Sequence, residues 1–203
     1  MTGVVKRSLD LLLASGALLV LSPLLAVLWL AVRLTSPGPA VFSQQRLGRD
    51  ERPFTMYKFR SMTAGNSDAI HRAYVSQMLT KEPVAGPGLF KLEHDPRVTR
   101  LGAWLRRTSL DELPQLVNVV RGDMSLVGPR PVLAWEAELF SDAARARFRT
   151  RPGLTGLWQV SGRARLSMPQ ALELDVEYVR RQSLWLDLTI LARTLPALRR
   201  GTA

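Results

Sequence analysis

Two adjacent carboxylates, Asp111 and Glu112, are the residues of this chain whose types and spacing best suit chemistry. A pair of carboxylates can attack an electrophile, transfer a proton or bind a divalent metal ion. A structural explanation exists as well, because Ser109-x-x-Glu112 has the spacing of a capping box at a helix start. Acidic residues in a first helical turn also complement the positive end of the helix dipole. The local sequence therefore leaves a helix cap and a catalytic pair both open.

Arginines recur in short segments elsewhere in the chain, most of them beside glycine or proline. Glycine and proline restrict loop backbones, and the planar guanidinium of arginine matches the oxygens of a phosphate. A solvated basic face would explain any one of these segments, but several of them beside an acidic pair and an apolar segment indicate a diphosphate substrate at a bilayer surface. The segments are KFRSM at 58–62, DPRVTR at 95–100, GPRP at 128–131 and TRPGLTG at 150–156.

Composition narrows the classes of function. The 203 residues include 28 Lys and Arg against 17 Asp and Glu, and the net charge of +11 indicates an anionic partner: nucleic acid, an acidic membrane surface or a phosphorylated substrate. The chain has no cysteine, which excludes disulfides, thiolate metal sites and cysteine nucleophiles. With two histidines, a His-rich metal site is excluded too. Any divalent metal must then rest on carboxylates and ligand phosphates, which favours Mg²⁺.

Residues 11–32 form an apolar run without a charged side chain. About 20 apolar residues in a helix cross the core of a bilayer, so this run belongs in a membrane. A secreted signal peptide is the alternative, but its apolar region would be shorter, about 7–15 residues.

The middle of this run carries Ser22 and Pro23. Proline removes one helical hydrogen bond, and the serine hydroxyl can satisfy the freed carbonyl, so the pair marks a bend. Both flanks of the run are basic, with Lys6 and Arg7 before it and Arg33 after it, whereas only cytoplasmic flanks are usually enriched in Lys and Arg. A helix broken here would give two arms of about eleven residues, each about 16 Å long, and return the chain to the side from which it entered. From the residues alone, re-entry and spanning are equally open.

The remaining segments predict a mainly helical α+β domain. A cluster of prolines and glycine at 35–40 ends the apolar N-terminal segment. The next two segments, AVFSQQRLG and RPFTMYKFRSM, are joined by a GRDE turn and predict a β-hairpin. HRAYVSQMLTKEP indicates a short helix or a mobile connection, and VAGPGLF a loop. DPRVTRLGAWLRRTS leads into the helix that carries Asp111, RGDMSLVGPRPVL is rich in turns, and AWEAELFSDAARARF is helical. RPGLTGLWQVSGR combines two loops with a strand-like centre.

A leucine stripe near the C-terminus predicts an amphipathic helix. Trp185 and the arginines Arg193, Arg199 and Arg200 accompany it. Packing on the protein core and lying in the lipid headgroup layer both fit this composition. The stripe occupies one helical face at Leu184, Leu188, Leu191, Leu195 and Leu198.

The order of the motifs resembles that of the bacterial sugar transferases, the small monotopic polyprenyl-phosphate phosphoglycosyltransferases that start surface-glycan assembly. The resemblance extends from about residue 4 to residue 200, and the long central motif is highly specific. Without a large multi-span region at its N-terminus, the chain resembles the minimal form of the family. The motifs are KRSLDLLLA…LSPLLA, YKFRSM, RRTSLDELPQLVNVVRGDMSLVGPRP, RPGLTGLWQVSGR and ELDVEYV.

The resemblance implies a UDP-sugar and a membrane polyprenyl phosphate as substrates, and a polyprenyl diphosphate-sugar and UMP as products. It makes Asp111 the nucleophile on the phosphate next to the sugar and Glu112 its partner in binding Mg²⁺. The anchor, residues 1–36, becomes a re-entrant helix broken at Ser22-Pro23, and residues 37–203 a cytoplasmic catalytic domain at the bacterial inner membrane, in contact with anionic lipids. In the matching motifs Arg130 with Pro129 and Pro131 would hold the nucleotide and Arg151 a phosphate, and the substrate-binding set extends to Lys58, Arg60, Arg106, Gln159 and Asp175.

Two rival functions share the positive charge. A membrane-tethered nucleic-acid-binding protein would interleave basic residues with stacking aromatics, but aromatics are only 7% of the chain, so no nucleic-acid partner is expected. A non-catalytic membrane scaffold is the other rival. The transferred sugar, the glycan pathway, the role of residues 63–94 and the oligomeric state, a homodimer included, are not readable from the sequence.

Overall fold

The computed structural model describes residues 2–63, 72, 97–162 and 166–199 of the chain. The predictions for the segments at 71–83 and 84–90 therefore lie, apart from residue 72, outside the described residues. Helices dominate, and the strands form two small two-stranded sheets. In chain order the elements are α1 (Thr2–Thr35), β1 (Val41–Leu47), β2 (Pro53–Phe59), α2 (Arg100–Thr108), α3 (Gln115–Arg121), β3 (Ser125–Val127), α4 (Ala134–Glu138), α5 (Asp142–Arg145), β4 (Gly153–Thr155), α6 (Leu157–Ser161), α7 (Met168–Arg181) and α8 (Leu184–Arg199).

Helix α1 runs without interruption through Pro23. Proline cannot donate to the carbonyl of Leu19 four residues earlier, and the Ser22 hydroxyl donates to that carbonyl instead, at 2.8 Å. The predicted use of Ser22 is thus confirmed. Because the helical backbone continues across the pair, Pro23 introduces at most a bend here, not a gap between two helices.

Both ends of α1 are fixed to the rest of the molecule. Near its start, the Lys6 ammonium donates to the Asp187 carboxylate at 2.7 Å and to the Val127 carbonyl at 3.1 Å. Beyond its end, the Arg60 guanidinium donates to the carbonyl of Ser36 at 2.7 Å. Between these ties one side of the helix packs on the domain, where Ala14, Leu28 and Val32 are buried. The helix therefore lies along the domain and does not project from it.

The opposite side of α1 is apolar and exposed. The stretch Gly3–Thr35 is long and apolar enough to cross a membrane. An exposed apolar surface of this extent is typical of contact with a membrane or a partner. Its most exposed side chains are Val4, Leu12, Leu19, Val20, Val27, Leu30 and Leu34.

The predicted hairpin is confirmed. Strands β1 and β2 are antiparallel, with Phe42 opposite Lys58 and Arg46 opposite Phe54. Side chains alternate between the two faces of a strand, so Arg46 and Lys58 lie on the same face of the hairpin. The turn between the strands contains Asp50 and Glu51 in the left-handed conformation, with φ of 55° and 58°.

A single buried asparagine joins the hairpin to α3. The Asn118 side chain accepts from the Tyr57 amide at 3.1 Å and donates to the Thr55 carbonyl at 2.7 Å. A second donor hydrogen reaches Asp123 at 3.2 Å. Because α3 follows directly from the turn that carries Asp111, these bonds fix that turn relative to β2.

The second sheet brings two of the arginine loops together. Strands β3 and β4 are parallel, with Ser125 opposite Gly153. A methyl group on Gly128 would overlap the Arg151 carbonyl, and one on Gly153 would overlap the Gly128 backbone. The GPRP and RPGLTG segments can approach this closely only because both positions are glycine.

The C-terminal half departs from the expected elements in two places. The predicted helical segment 134–148 divides into α4, α5 and a 3₁₀ turn at Ala146–Arg149. The strand expected in RPGLTGLWQVSGR is confined to Gly153–Thr155, and the following residues form α6, which the sequence analysis missed. Alternating small and apolar residues there resemble a strand, but Trp158 of α6 packs into a core with Phe140 and Phe148.

Helix α8 packs through only part of the predicted leucine stripe. Ile190 is buried, and Leu191 of the stripe packs against the core that Ile190 forms with Val127 and Tyr178. Leu188 and Leu195 are exposed, and Trp185 is 79% exposed. The predicted stripe is thus divided between core contacts and exposed surface.

We expect Asn118→Ala to destabilise the protein by about 1–3 kcal/mol, because two buried backbone groups lose their partners. Denaturant unfolding of the full chain in detergent measures this. The matched control is Gln45→Ala, which removes one exposed hydrogen bond to Thr55 on the same hairpin and should change the free energy of unfolding by less than about 0.5 kcal/mol. Equal effects of the two variants would contradict the role of Asn118.

Candidate functional site

Asp111 lies in a three-residue 3₁₀ turn, Leu110–Glu112, between α2 and α3. Ser109 precedes it in the left-handed conformation, with φ of 57°, and ends α2. A capping serine needs an extended backbone, and the Ser109 side chain makes no capping bond. The predicted capping box is therefore wrong, and so is the placement of Asp111 in the first turn of a regular helix. The left-handed Ser109 changes the direction of the chain, and both carboxylates lie in the three-residue turn that comes directly after it.

Glu112 lies between two cations. Its Oε1 is 3.2 Å from the Lys58 ammonium and 3.8 Å from the Arg130 guanidinium. The Glu112 side chain is about one-fifth exposed, as are its two partners. β2 supplies the lysine, the 3₁₀ turn the glutamate and the loop after β3 the arginine, so three separate segments meet here.

Burial lowers the pKa of Lys58. Glu112 and Asp111 oppose this shift, whereas Arg130 and Arg46 add to it. These four side chains therefore act electrostatically on Lys58, and we call the five groups together the charged cluster. Asp111 itself is buried, at 7% exposure. The net charge of the charged cluster is positive, which favours the binding of a negatively charged ligand.

The charged cluster borders a small cleft. Gln115, Pro131, Leu154 and Gln159 line it together with members of the cluster. The buried Oε1 of Gln159 has no hydrogen-bond partner among the described residues. A buried amide oxygen without a partner is costly, which favours a ligand that donates to it.

A buried ion pair supports Arg130 from behind. Arg147 donates to the Arg130 carbonyl and to the Asp175 carboxylate, both at 2.6 Å. Burial raises the pKa of Asp175 to about 6, although Arg147 acts in the opposite direction. Asp175 thus acts on the position of the Arg130 backbone through Arg147, and the charge of Arg130 also acts on it directly.

The structure brings together some of the predicted residues and places others elsewhere. Lys58, Arg130, Pro131 and Gln159 line the same cleft as Glu112. The Pro129 carbonyl accepts from the Gly153 amide at 2.8 Å and joins the two loops.

Two predicted arginines, Arg60 and Arg151, contact other parts of the molecule, and a third, Arg106, is not among the residues that line the cleft. Arg60 is buried and donates to carbonyls near the end of α1. Arg151 donates to the Gly122 carbonyl at 2.8 Å and lines another cavity. Arg106 is partly buried in the last turn of α2, just ahead of the Asp111 turn.

Sequence reasoning missed Arg46, Gln115 and Arg147 as site residues. Arg46 was predictable from strand alternation, because it shares a hairpin face with Lys58. Gln115 follows Glu112 by three residues, a helical spacing that brings it to the same side. Arg147 carried no signal, since its partner Asp175 lies 28 residues away on a different helix.

The donor set at the 3₁₀ turn fits the predicted magnesium ion. Mg²⁺ binds one or two carboxylates and completes its octahedron with water and substrate phosphates. Asp111 and Glu112 provide the two carboxylates, and no group of three or more His, Cys, Asp or Glu suited to a metal occurs among the described residues. This arrangement fits an ion carried largely by a phosphate ligand.

The raised pKa of Asp175 predicts a pH-dependent stability. Between about pH 4 and 6 the folded state binds more protons at this group than the unfolded state, whose carboxyl has a pKa near 3.8. The free energy of unfolding should therefore fall as pH rises through this window. Asp175→Asn should remove that fall in denaturant titrations, whereas Asp142→Asn, an exposed control, should keep it. An unchanged slope in Asp175→Asn would refute the assignment.

Comparison with known proteins identifies relatives across the whole chain. The bacterial sugar transferase family matches residues 1–201. The exopolysaccharide production protein ExoY of Rhizobium meliloti is 43% identical over 202 residues, covering 96% of this chain and 85% of that protein. The undecaprenyl-phosphate galactose phosphotransferase of Salmonella typhimurium is 42% identical over 93% of this chain, and the UDP-glucose:undecaprenyl-phosphate glucose-1-phosphate transferase of Escherichia coli is 40% identical over 94%. This chain spans 39% of the length of each of these two longer relatives. The chain belongs to the bacterial sugar transferase family.

Proposed function

We propose that this enzyme, a phosphoglycosyltransferase, transfers a sugar phosphate from a UDP-sugar to a membrane polyprenyl phosphate. The products are a polyprenyl diphosphate-sugar and UMP, and the reaction starts the assembly of an exopolysaccharide or a related glycan. Relatives named as undecaprenyl-phosphate galactose and glucose phosphotransferases support this substrate class.

The observation that carries the proposal is the charged cluster. A carboxylate can approach a diphosphate only where cations offset the negative charges of both. Lys58 and Arg130 lie within 4 Å of Glu112, and Arg46 also acts on Lys58. These cations line a cleft together with Glu112, the chain neighbour of Asp111, so a diphosphate bound there would meet a carboxylate without net repulsion.

In the proposed reaction, an Asp111 oxygen attacks the phosphorus atom next to the sugar. A bond forms between the carboxylate and phosphorus, and the bond from phosphorus to the bridging oxygen breaks, so UMP leaves with that electron pair. An oxygen of the polyprenyl phosphate then attacks the same phosphorus and displaces Asp111. Two displacements of moderate difficulty replace one direct encounter of two bulky anions.

Asp111 and Glu112 would hold the proposed Mg²⁺, which supplies charge neutralisation at the diphosphate when bound. Lys58 and Arg130 hold Glu112 in place by charge and leave donor hydrogens for phosphate oxygens. Gln159 offers its unpaired carbonyl oxygen to a donor of the sugar or the base.

We also propose that α1 enters and leaves the bilayer on the cytoplasmic side. Lys6 at its start and the residues at its end both bind the same domain, which is hard to reconcile with a helix whose ends lie across a bilayer of about 30 Å. A bend at Ser22-Pro23 would let the apolar outer side dip into the membrane. The exposed Trp185, Leu188 and Leu195 of α8 would lie in the headgroup layer, among anionic lipids.

Asp111→Asn tests the covalent step. The amide preserves the shape of the side chain but cannot attack phosphorus, so we expect a folded variant whose turnover is lower by several orders of magnitude. Given a UDP-sugar without acceptor, the wild type should gain the mass of a phosphosugar and release one UMP per active site, read by intact-protein mass spectrometry. Release of UDP would point to ordinary glycosyl transfer.

The matched control is Asp142→Asn, which makes the same chemical change at an exposed helix start. It should retain turnover and form the adduct. An active Asp111→Asn variant would contradict the proposed role of Asp111 and leave a different nucleophile as the explanation.

Re-entry is testable because the chain has no natural cysteine. Cysteines introduced by Thr2→Cys and, separately, by Ala203→Cys should both resist a membrane-impermeant thiol reagent in intact cells and react after lysis. Adding Pro23→Ala restores a helical hydrogen bond and should shift position 2 toward labelling from outside. Labelling of Thr2→Cys from outside with Pro23 in place would establish a simple span.

A further inference from the structure

A second cavity lies apart from the cleft at the charged cluster. Its volume is about 210 Å³, far above the roughly 10–15 Å³ that one water molecule requires. It forms where the start of α1, the start of α8 and the segment before β4 meet. Ser125 lines this cavity and its ladder partner Gly153 lines the cleft, so the short β3–β4 sheet separates the two.

The cavity is strongly basic. Five basic side chains line it against two acidic ones, which leaves an excess of three positive charges. Both acids are already engaged: Asp187 accepts from Lys6 and from Tyr178, each at 2.7 Å, and Asp10 accepts from the Leu126 amide at 3.0 Å. Among the basic side chains, Arg7 and Arg151 donate to backbone carbonyls, and Arg49 pairs with Asp50 outside the lining. Backbone carbonyls carry no net charge, so the lining keeps a positive excess that favours an anion.

A buried hydroxyl indicates that a ligand completes this cavity. Ser125 is 1% exposed, and its Oγ has no hydrogen-bond partner among the described residues. A buried hydroxyl without a partner costs free energy. An oxygen atom of an anion in the cavity would accept from it.

The start of α8 adds backbone donors. This helix has 16 residues, and the Ser183 hydroxyl caps it by accepting from the Leu186 amide at 3.2 Å. Ser183 and Leu184 line the cavity, so the positive end of the helix dipole lies beside it. A phosphate group suits a site that combines an excess of cations, a hydroxyl donor and a helix start.

We propose that this cavity is a binding site for a phosphate group, separate from the charged cluster. Two neighbours of the lining residues, Val4 and Trp185, are apolar and more than three-quarters exposed. A membrane lipid whose phosphate entered the cavity would lay its chains along such residues. Free phosphate offers the same oxygens, and the test distinguishes the two sources.

The experiment measures binding to the full chain purified in a neutral detergent. The probes are inorganic phosphate, dihexanoyl phosphatidylglycerol and, as the zwitterionic comparison, dihexanoyl phosphatidylcholine. Calorimetry gives Kd, and thermal unfolding reports the stabilisation that a ligand of the native state produces. The readout is independent of catalysis, so its failure would not affect the proposed transferase function.

Two variants change the cavity in different ways. Ser125→Ala removes the unpaired hydroxyl, so without ligand its Tm should equal or exceed that of the wild type. Arg149→Gln removes an exposed charge that lines the cavity. Each should weaken phosphate binding about tenfold. Arg100→Gln, the same charge change on an exposed residue of α2, should alter Kd less than about twofold.

Tighter binding of phosphatidylglycerol than of inorganic phosphate would identify a lipid headgroup, and the reverse order free phosphate. Both results support a phosphate site, provided that the cavity variants weaken binding. The proposal would be overturned if neither phosphatidylglycerol nor inorganic phosphate bound, or if the wild type, Ser125→Ala and Arg149→Gln had equal Kd values. An equal loss in Arg100→Gln would show attraction by net charge alone.

Discussion

The approach of Lys58 and Arg130 to Glu112 in a poorly solvated cleft is the constraint on which the rest of the structure depends. Charges withdrawn from water must be held at short distance from opposite charges, since otherwise their desolvation outweighs the attraction between them. The lysine, the glutamate and the arginine come from three separate segments. The Asn118 bonds, the left-handed Ser109 and the glycine contacts between the loops fix those segments relative to one another.

Patterns that repeat locally were readable from the sequence. Strand alternation gave the hairpin, and the apolar run gave α1, down to the bond by which Ser22 satisfies the Leu19 carbonyl. The motif resemblance predicted that Asp111 and Glu112 are the catalytic pair. The capping box failed because the same four residues also fit a left-handed helix end, and spacing alone does not distinguish an N-cap from a C-cap.

Features that depend on distant partners were not readable. The positions of Arg130 and Arg151 illustrate this, because a similar Gly/Pro-rich context surrounds both, yet Arg130 lies at the charged cluster and Arg151 at the second cavity. Arg60, also predicted to bind substrate, lies on the carbonyls beyond α1. Tertiary packing decides which of these places each arginine occupies. The leucine stripe of α8 is a similar case, since hydrophobic periodicity identifies a face and leaves open what covers that face.

The tie between Lys6 and Asp187 joins positions separated by 181 residues, which has a consequence for biosynthesis. Helix α1 is synthesised before its partner on α8, and the residues that separate them take roughly 10–35 s at ordinary elongation rates. Throughout that interval α1 has none of its native polar contacts to the C-terminal helix, and its apolar surface needs another environment. Insertion of α1 into the bilayer would supply it, so the membrane would act as a folding partner before the domain exists to receive the helix.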